Sequence, residues 1–448
     1  MSWLPVFKKE DSWANLIGLS LVLLIVLVYS FGNFDVFDLF RVKFSSFQGF
    51  DFVQSFGANP WQFLGKILTL FVFFALIFYI TAHFLGKQKG FLLNFSILFL
   101  LSLLVFILGV SAFAKTWQLE TPLIALIIGL ILSNLTPLNE SFRNSLLTEF
   151  YVKIGIVLMG ATLPLNLLLS AGSVAIVQAC IITIITFFSI FYFATRLFKL
   201  DPSFAATLGA GGSICGVSAA IVIGNASHAK KEHISVAISI VVFWAVIMVI
   251  ALPFVCRALG LDMGVAGAFI GTSEFADAAG LAAAQALGDE RTVAAFTLIK
   301  VIGRDMFIGV WAVLVAFLAT FVWSKTSQKD DINAAKSSKL SIIWQRFPKF
   351  ILGFSLASVI GTLFLAFLPE SAAKPFQKEA LGFIKELRNW VFTFTFLCIG
   401  LSTRFSEIIK VGYKPFVTFT LGVLINLPLG FVLSQFVFVD FWTNFNKE

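Results

Sequence analysis

The sequence predicts an all-α polytopic membrane protein, and three observations carry that reading. Mean hydropathy is +0.95 over 448 residues, above the range of chains that fold in water. Hydrophobic residues make up 59% and charged residues only 12%. Apolar runs of membrane-spanning length recur from one end of the chain to the other. The 55 Phe suggest extensive lipid-facing surface, because large rings fill acyl-chain space without needing hydrogen bonds. Cys180, Cys215, Cys256 and Cys398 are scattered through apolar segments with no C-x-x-C pair, and read as small buried apolar residues.

About thirteen hydrophobic segments follow one another: 16–31, 62–85, 91–114, 121–136, 147–169, 173–198, 203–224, 234–257, 264–287, 292–323, 349–368, 388–409 and 414–439. The opening "MSWLPVFKKEDSW" lacks the features of a cleaved signal peptide, so it is expected to be retained. With the N-terminus inside, Lys8, Lys9, Lys87, Lys89, Arg143, Arg196, Lys199, Arg257, the basic 325–349 stretch, Lys410 and Lys414 fall on the cytoplasmic side. The opposite loops are poorer in Lys and Arg, apart from 369–388. The positive-inside rule therefore predicts N-in, C-out.

The chain divides into extra N-terminal segments (1–120), a first half (121–323), a hydrophilic linker (324–348) and a C-terminal set of segments (349–448). The stretch 32–60 alternates Phe with polar residues, as an interfacial segment does. "IGIVLMGATLPLNLLLSAG" (154–172) and "FTFLCIGLSTRFSEIIKVG" (394–412) align without gaps, Gly160 on Gly400 and Thr162 on Ser402, a faint internal repeat of the kind found in secondary transporters.

Two segments depart from the Phe/Leu/Ile/Val composition. "FAATLGAGGSICGVSAAIVIGNAS" (204–227) and "MGVAGAFIGTSEFADAAGLAAAQALG" (263–288) consist mainly of Gly, Ala, Ser and Thr, which lets helix backbones approach closely. "GAGGSICG" (209–216) holds four Gly in eight residues, each worth about 1 kcal/mol against a continuous helix. A break there must be buried within protein, and it would aim half-helix N-termini, good anion sites, at the membrane midplane.

A charge at the membrane centre costs roughly 2.5–3.5 kcal/mol on insertion scales, so it pairs or lines a cavity. Glu274 and Asp277 stand i, i+3 and share a face if their helix is continuous. Lys300 and Arg304 stand i, i+4 on the next segment and share a face as well. One reading is a structural ion-pair network. The other gives Lys300 and Arg304 to an anionic substrate, and makes Glu274 or Asp277 the group that takes up a coupling proton or cation. Asp305 is expected to pair locally with Arg304 or to lie away from the site.

With these residues in view, the chain resembles the YeiH-type sulfate exporter family of bacterial inner-membrane proteins, within the cation–proton antiporter and anion transporter superfamily. The resemblance runs from about residue 125 to the C-terminus. It rests on "LGAGGSICGVSAA" (208–220), "IGTS" (270–273), Lys300 followed by Arg304, and "IGLSTRFSEIIKVGYKP" (399–415). It implies two inverted repeats with discontinuous crossing helices, as in NhaA-like and bile-acid-symporter-like folds, and export of a small oxyanion such as sulfate or an organosulfonate. Carried over with it as substrate-binding positions are Gly211, Gly212, Ser213, Cys215, Gly216, Thr272, Ser273, Lys300 and Arg304. A homodimer is the superfamily's implied assembly. In that family a His–acid pair follows the segment matching "GTS". Here Phe275–Ala276 stand there, with acids at Glu274 and Asp277, and Lys300 and Arg304 stand one residue further apart than expected.

Other functions find little support. The three His residues, His83, His228 and His233, form no H-E-x-x-H motif, and His228 and His233 read as loop residues; no metal, cofactor or nucleic-acid site is expected. There is no P-loop, and Cys215 has no His nearby in sequence, so an enzyme is not expected. No loop reaches domain length, which argues against a receptor. The alternative inside the transporter class is a cation–proton antiporter with Glu274 and Asp277 as its ion site.

Overall fold

The computed structural model describes residues 9–32, 35–47, 55–56, 59–116, 119–163, 165–319, 323, 348–404 and 412–445. Eight of its helices are long and apolar enough to cross a membrane. Among the described residues the only β pairing is an isolated bridge between Phe47 and Ser111. The all-α membrane fold is therefore as expected. In chain order, α1 is Glu10–Ser30, α2 Pro60–Phe84, α3 Phe91–Gly109, α4 Thr121–Leu135 and α5 Thr148–Ala161. Then come α6 Leu165–Tyr192, α7 Pro202–Ser213, α8 Val217–Ala226, α9 Lys231–Ala258, α10 Met263–Ser273 and α11 Asp277–Gln285. The last are α12 Glu290–Leu318, α13 Phe350–Phe367, α14 Gly382–Ser402 and α15 Tyr413–Val437. Most of the linker 324–348 and the stretch 405–411 of the repeat-like motif lie outside the described residues.

Two compact units form, each from two stretches of chain: 1–168 with 349–404, and 169–348 with 405–448. The first holds α1–α5, α13 and α14. Its helices meet where a glycine removes the side chain between them. A Cβ on Gly129 of α4 would lie 2.7 Å from Leu397 O, and one on Gly400 of α14 2.5 Å from Leu126 O. Gly160 and Gly361 play the same part between α5 and α13. Small residues at these seams allow dense packing where lipid supplies no hydrophobic drive for helix association.

Phenylalanine behaves differently from the expectation of lipid-facing surface. In this unit Phe74, Phe78, Phe95, Phe99, Phe150 and Phe394 are buried together with Tyr151. Edge-to-face pairs join them, such as Phe74–Phe394 at 5.4 Å and 89° and Phe78–Phe95 at 5.5 Å and 84°. The outward faces of the same helices carry Leu more often than Phe, for example Leu68, Leu76, Leu93 and Leu100, with Phe84 exposed at the end of α2. Rings gain from one another through quadrupole-directed contacts, which lipid tails cannot return, so this group of aromatic residues collects inside. The described part of 32–60 packs by the same means, Phe37 on Phe383 and Phe44 on Phe106. Arg41 pins it further, donating from Nη1 to the Glu379 carboxylate and from Nη2 to Glu379 O.

The second unit contains a correction. Segments 203–224 and 264–287 are broken, but neither crosses the membrane as a discontinuous helix. α7 and α8 run antiparallel as a re-entrant hairpin. Ser203 Oγ donates to Ser227 O at 2.6 Å, a Cβ on Gly224 would lie 3.2 Å from Thr207 Oγ1, and one on Gly211 3.7 Å from Ala220 Cβ. The partners thus run 203/227, 207/224 and 211/220, and both ends of the hairpin emerge on one side. α10 and α11 form a second hairpin that opens at the opposite end of α9. There Arg257 donates to Ala286 O, Arg291 pairs with Asp262 at 2.7 Å, and Thr292 Oγ1 donates to Met263 O at 3.0 Å. Those bonds place the end of α9, both ends of the second hairpin and the start of α12 together.

Arm length suits this geometry. The arms are nine to twelve residues long and span about 14–18 Å, half of a ~30 Å hydrocarbon core. Every residue of α7 from Phe204 to Ser213 and of α10 from Gly264 to Ser273 is buried, as backbone that stops within the membrane requires. At the mouths, Asp201 accepts from Ser203 N and Phe204 N, and Asp262 accepts from Gly264 N, ordinary N-caps. His228 lies in the turn after the first hairpin with φ +55°. His233 is in the first turn of α9 rather than a loop, stacked on Phe204 at 4.3 Å.

Candidate functional site

The two hairpin tips meet. The first is Ile214–Cys215–Gly216 and the second Glu274–Phe275–Ala276, between the arms. The "GAGGSICG" glycines divide their work here. Gly209, Gly211 and Gly212 stay inside α7, where Cβ atoms would press on Phe187 O, Val241 and Ile190. Gly216 makes the turn, with φ +70° and ψ −116°, a conformation that glycine alone adopts readily. A Cβ there would also lie 2.7 Å from Phe275 O. Gly216→Ala is accordingly expected to destabilise the protein by about 2–3 kcal/mol, read as a lowered thermal-unfolding midpoint in detergent, whereas Ala219→Gly in the adjoining arm lowers it by much less.

At each tip the first arm ends in backbone carbonyls without helical partners, and α12 supplies the donors. Lys300 Nζ donates to Ile214 O at 2.7 Å and to Glu274 O and Phe275 O at 3.0 Å each. Arg304 Nε donates to Ser213 O at 2.9 Å, while Nη1 is shared among Gly271 O, Thr272 O and Glu274 O at 2.9–3.1 Å. Both side chains are fully buried. Their positive charges thus sit at the negative ends of two half-helices. α12 is wound as a π-turn over Leu298–Arg304. Such a turn takes up one extra residue within an α-helix, so the long spacing of Lys300 and Arg304 still delivers both to the same place.

The second arms present the opposite polarity. No side chain caps α8 or α11, and the first helical bonds start at Ala220 N and Gly280 N. The N–H groups of residues 217–219 and 277–279 therefore come before each ladder begins. Around the tips only Val217, Ser218, Ala276 and Asp277 keep partial exposure, among neighbours that are buried.

The acids take distinct places. Because the segment is broken, Glu274 and Asp277 do not share a helix face. Glu274 closes the first arm and is fully buried; its Oε1 accepts from Phe275 N at 3.0 Å and Ala276 N at 3.2 Å. Asp277 opens the second arm, with one carboxylate oxygen 3.7 Å from Lys300 Nζ and 13% of its side chain exposed. Asp305 is not off the site. Its carboxylate, the Asp277 carboxylate and Cys215 Sγ lie within 4.8 Å of one another. Those three could in principle ligate a metal, but the Lys300 ammonium already stands beside them, a cation that a metal would have to face.

Of the anticipated residues, Ser213, Cys215, Gly216, Lys300 and Arg304 converge with Glu274 and Asp277. Gly212 faces Ile190 and Phe419, and the Thr272 hydroxyl is held by Ala268 O and Phe269 O. Among the described residues, Ser213 Oγ, Ser273 Oγ, Glu274 Oε2 and Arg304 Nη2 are buried without a hydrogen-bond partner. Asn426 of α15 was not anticipated. Its amide donates to Thr186 Oγ1 at 3.0 Å and to Thr272 O at 3.3 Å, behind the second tip. A lone Asn in the apolar run "LGVLINLPLG" is the signal that would have found it. Ser218, half-exposed at the start of α8, lay inside a motif already singled out.

Comparison with known proteins adds a family. Residues 90–419 match the family model described as conserved hypothetical protein 698. The chain belongs to this family. It is similar to a UPF0324 membrane protein of Rhodopirellula baltica, 34% identical over 85% of this chain and 70% of that one. A UPF0324 membrane protein of Nitratidesulfovibrio vulgaris is 30% identical over 85% of this chain and 65% of its own length. One from Nitrosomonas europaea is 28% identical over 90% of both. No solved structure matches. These names establish a membrane protein of the UPF0324 family and go no further.

Proposed function

We propose that this chain is a secondary active transporter that carries a small oxyanion, of sulfate or organosulfonate size, by alternating access. The observation that carries the reading is the meeting of two re-entrant tips at Lys300 and Arg304, with the N-termini of α8 and α11 left uncapped beside them. Half-helix N-termini at the membrane midplane attract an anion. Ser218 and the first-turn N–H groups of both second arms supply donors. Lys300 contributes charge, while Arg304 Nη2 and Ser213 Oγ remain for hydrogen bonding. Cys215, Gly216, Thr272 and Ser273 shape the tips, and Gly211 and Gly212 let α7 pack closely behind the first of them. No bond needs to be broken for this function, so we infer transport and not catalysis.

Asp277 is the coupling group. A carboxylate there and a bound anion compete for the same positive potential, so the anion binds best when Asp277 carries a proton. Glu274 holds the second tip in shape. The basic residues Lys9, Lys87, Lys89, Arg143 and Lys349 support a cytoplasmic N-terminus in a bacterial inner membrane; they are tied to one end of the first unit through Lys87–Glu10 and Lys349 N–Asp11. Export is the direction that the family resemblance favours, and a homodimer the assembly.

The test is solute counterflow in proteoliposomes, with labelled sulfate and a panel of small sulfonates, with and without an imposed pH gradient. Anion flux that answers to the gradient is the expected result. No anion flux, together with a pH change on adding sodium or lithium, would sink the proposal and leave the cation–proton antiporter built on Glu274 and Asp277.

A further inference from the structure

The first unit carries a basic cavity of about 630 Å³ that the transport site does not use. It lies between the turn that follows α2 and the segment that precedes α5, and Lys87, Gln88, Lys89, Ser141, Arg143 and Asn144 are among its lining residues. Among the described residues no carboxylate lines it. Glu10 stands 3.5 Å from Lys87 Nζ at one wall, with both side chains partly exposed.

Its walls are built. The α2–α3 turn uses left-handed glycines at both ends, Gly86 at φ +73° and Gly90 at φ +70°. Asn94, 8% exposed, donates to Ser141 O at 3.1 Å and ties that turn to the opposite wall. A Cβ on Gly90 would lie 3.1 Å from Ser141 Oγ, so the two walls already touch. Within the cavity Gln88 Oε1 is buried and accepts no hydrogen bond.

Position in the bilayer follows from the helices. α2 and α3 have mean hydropathies of 2.4 and 2.8, and the turn that joins them is the first polar stretch beyond the hydrocarbon. The cavity therefore lies at headgroup depth. In the helix ends that flank this turn, Phe84 of α2 and Leu92 and Leu93 of α3 are exposed by 50%, 48% and 69%, the kind of surface along which an acyl chain lies.

We propose that this cavity binds the phosphodiester of an anionic phospholipid whose headgroup carries a free hydroxyl, as phosphatidylglycerol does. Lys87, Lys89 and Arg143 neutralise the phosphate, Gln88 Oε1 accepts from the glycerol hydroxyl, and Phe84, Leu92 and Leu93 receive the chains. Each basic group near an anionic headgroup contributes about 1 kcal/mol.

The experiment is thermal unfolding of the full chain in a neutral detergent, titrated separately with phosphatidylglycerol, phosphatidylcholine, glycerol 3-phosphate and inorganic phosphate. Wild type is expected to be stabilised by phosphatidylglycerol alone. The double variant Lys87→Gln/Lys89→Gln, whose side chains are exposed, is expected to need about thirty-fold more of that lipid for the same shift. Gln88→Leu is expected to respond alike to phosphatidylglycerol and to phosphatidic acid. Should the lysine variant fail to fold, Lys89→Gln alone gives the same readout at about five-fold. Equal responses of wild type and lysine variants to phosphatidylglycerol, or of wild type to phosphatidylglycerol and phosphatidylcholine, overturn the proposal. Protection by inorganic phosphate or glycerol 3-phosphate equal to that by the lipid overturns the lipid as source and assigns the cavity to a soluble phosphate.

Discussion

Lys300→Ala is expected to abolish transport and to lower the unfolding midpoint in detergent by roughly 3–6 °C, from a loss of about 3 kcal/mol or more. The buried carbonyls of Ile214 and Phe275 lose their donor together, while Glu274 O keeps that of Arg304 Nη1, and each unsatisfied group costs about 1–3 kcal/mol. The Asp277 carboxylate loses the cation 3.7 Å away in the same step. Because those carbonyls come from both tips, the loss falls on the joint between two hairpins and not on one helix. Lys300→Met separates charge from packing, since it keeps most of the side-chain volume and is expected to lose nearly as much stability as the alanine variant. The alanine variant also leaves a cage of carbonyl oxygens with room for a small cation. Methylammonium is therefore expected to restore part of the lost stability, and to do nothing for wild type or for Lys300→Met. A methionine variant as stable as wild type would show that Lys300 only fills space.

How much of this was legible beforehand differs from residue to residue. Hydropathy located the apolar segments because burial in lipid acts on composition alone, with no need of tertiary partners. The tip at 214–216 was legible for a local reason, the glycine excess, although only Gly216 has the backbone angles that required it. The return of each arm was not legible. A half-length helix can continue across or double back, and the choice rests on pairs such as Gly211 with Ala220 and Thr207 with Gly224, which no local pattern identifies. Lys300 and Arg304 were recognisable as intramembrane charge, but their partners are backbone carbonyls, and a carbonyl leaves no mark in a sequence. The inward placement of Phe was misread for a related reason. Ring-to-ring geometry among Phe74, Phe78, Phe95 and Phe394 decides it, and hydropathy treats Phe and Leu alike.

Asp277→Asn is the variant that separates coupling from binding. In wild type, lowering the pH protonates Asp277 and removes a negative charge from the N-terminal ends of α8 and α11, so anion flux is expected to rise as pH falls. Two like charges about 5 Å apart repel by roughly 3 kcal/mol at an effective dielectric constant near 20, which is more than a hundred-fold in anion affinity. The Asn variant carries no charge at any pH. Its anion exchange is expected to hold the low-pH level of wild type across the whole range and to be indifferent to an imposed gradient. Glu274→Gln is expected to behave otherwise. Glu274 is fully buried, and its Oε1 is held by Phe275 N and Ala276 N, so the substitution lowers stability and maximal flux while leaving the pH profile of the flux in place. The paired measurement is pH-dependent counterflow in proteoliposomes for the two variants side by side. A flat profile in Glu274→Gln and a wild-type profile in Asp277→Asn would reverse the assignment and move coupling into the closed interior of the second tip. There a proton could enter only when the hairpin itself opens, and coupling would then be limited by the motion of the hairpin.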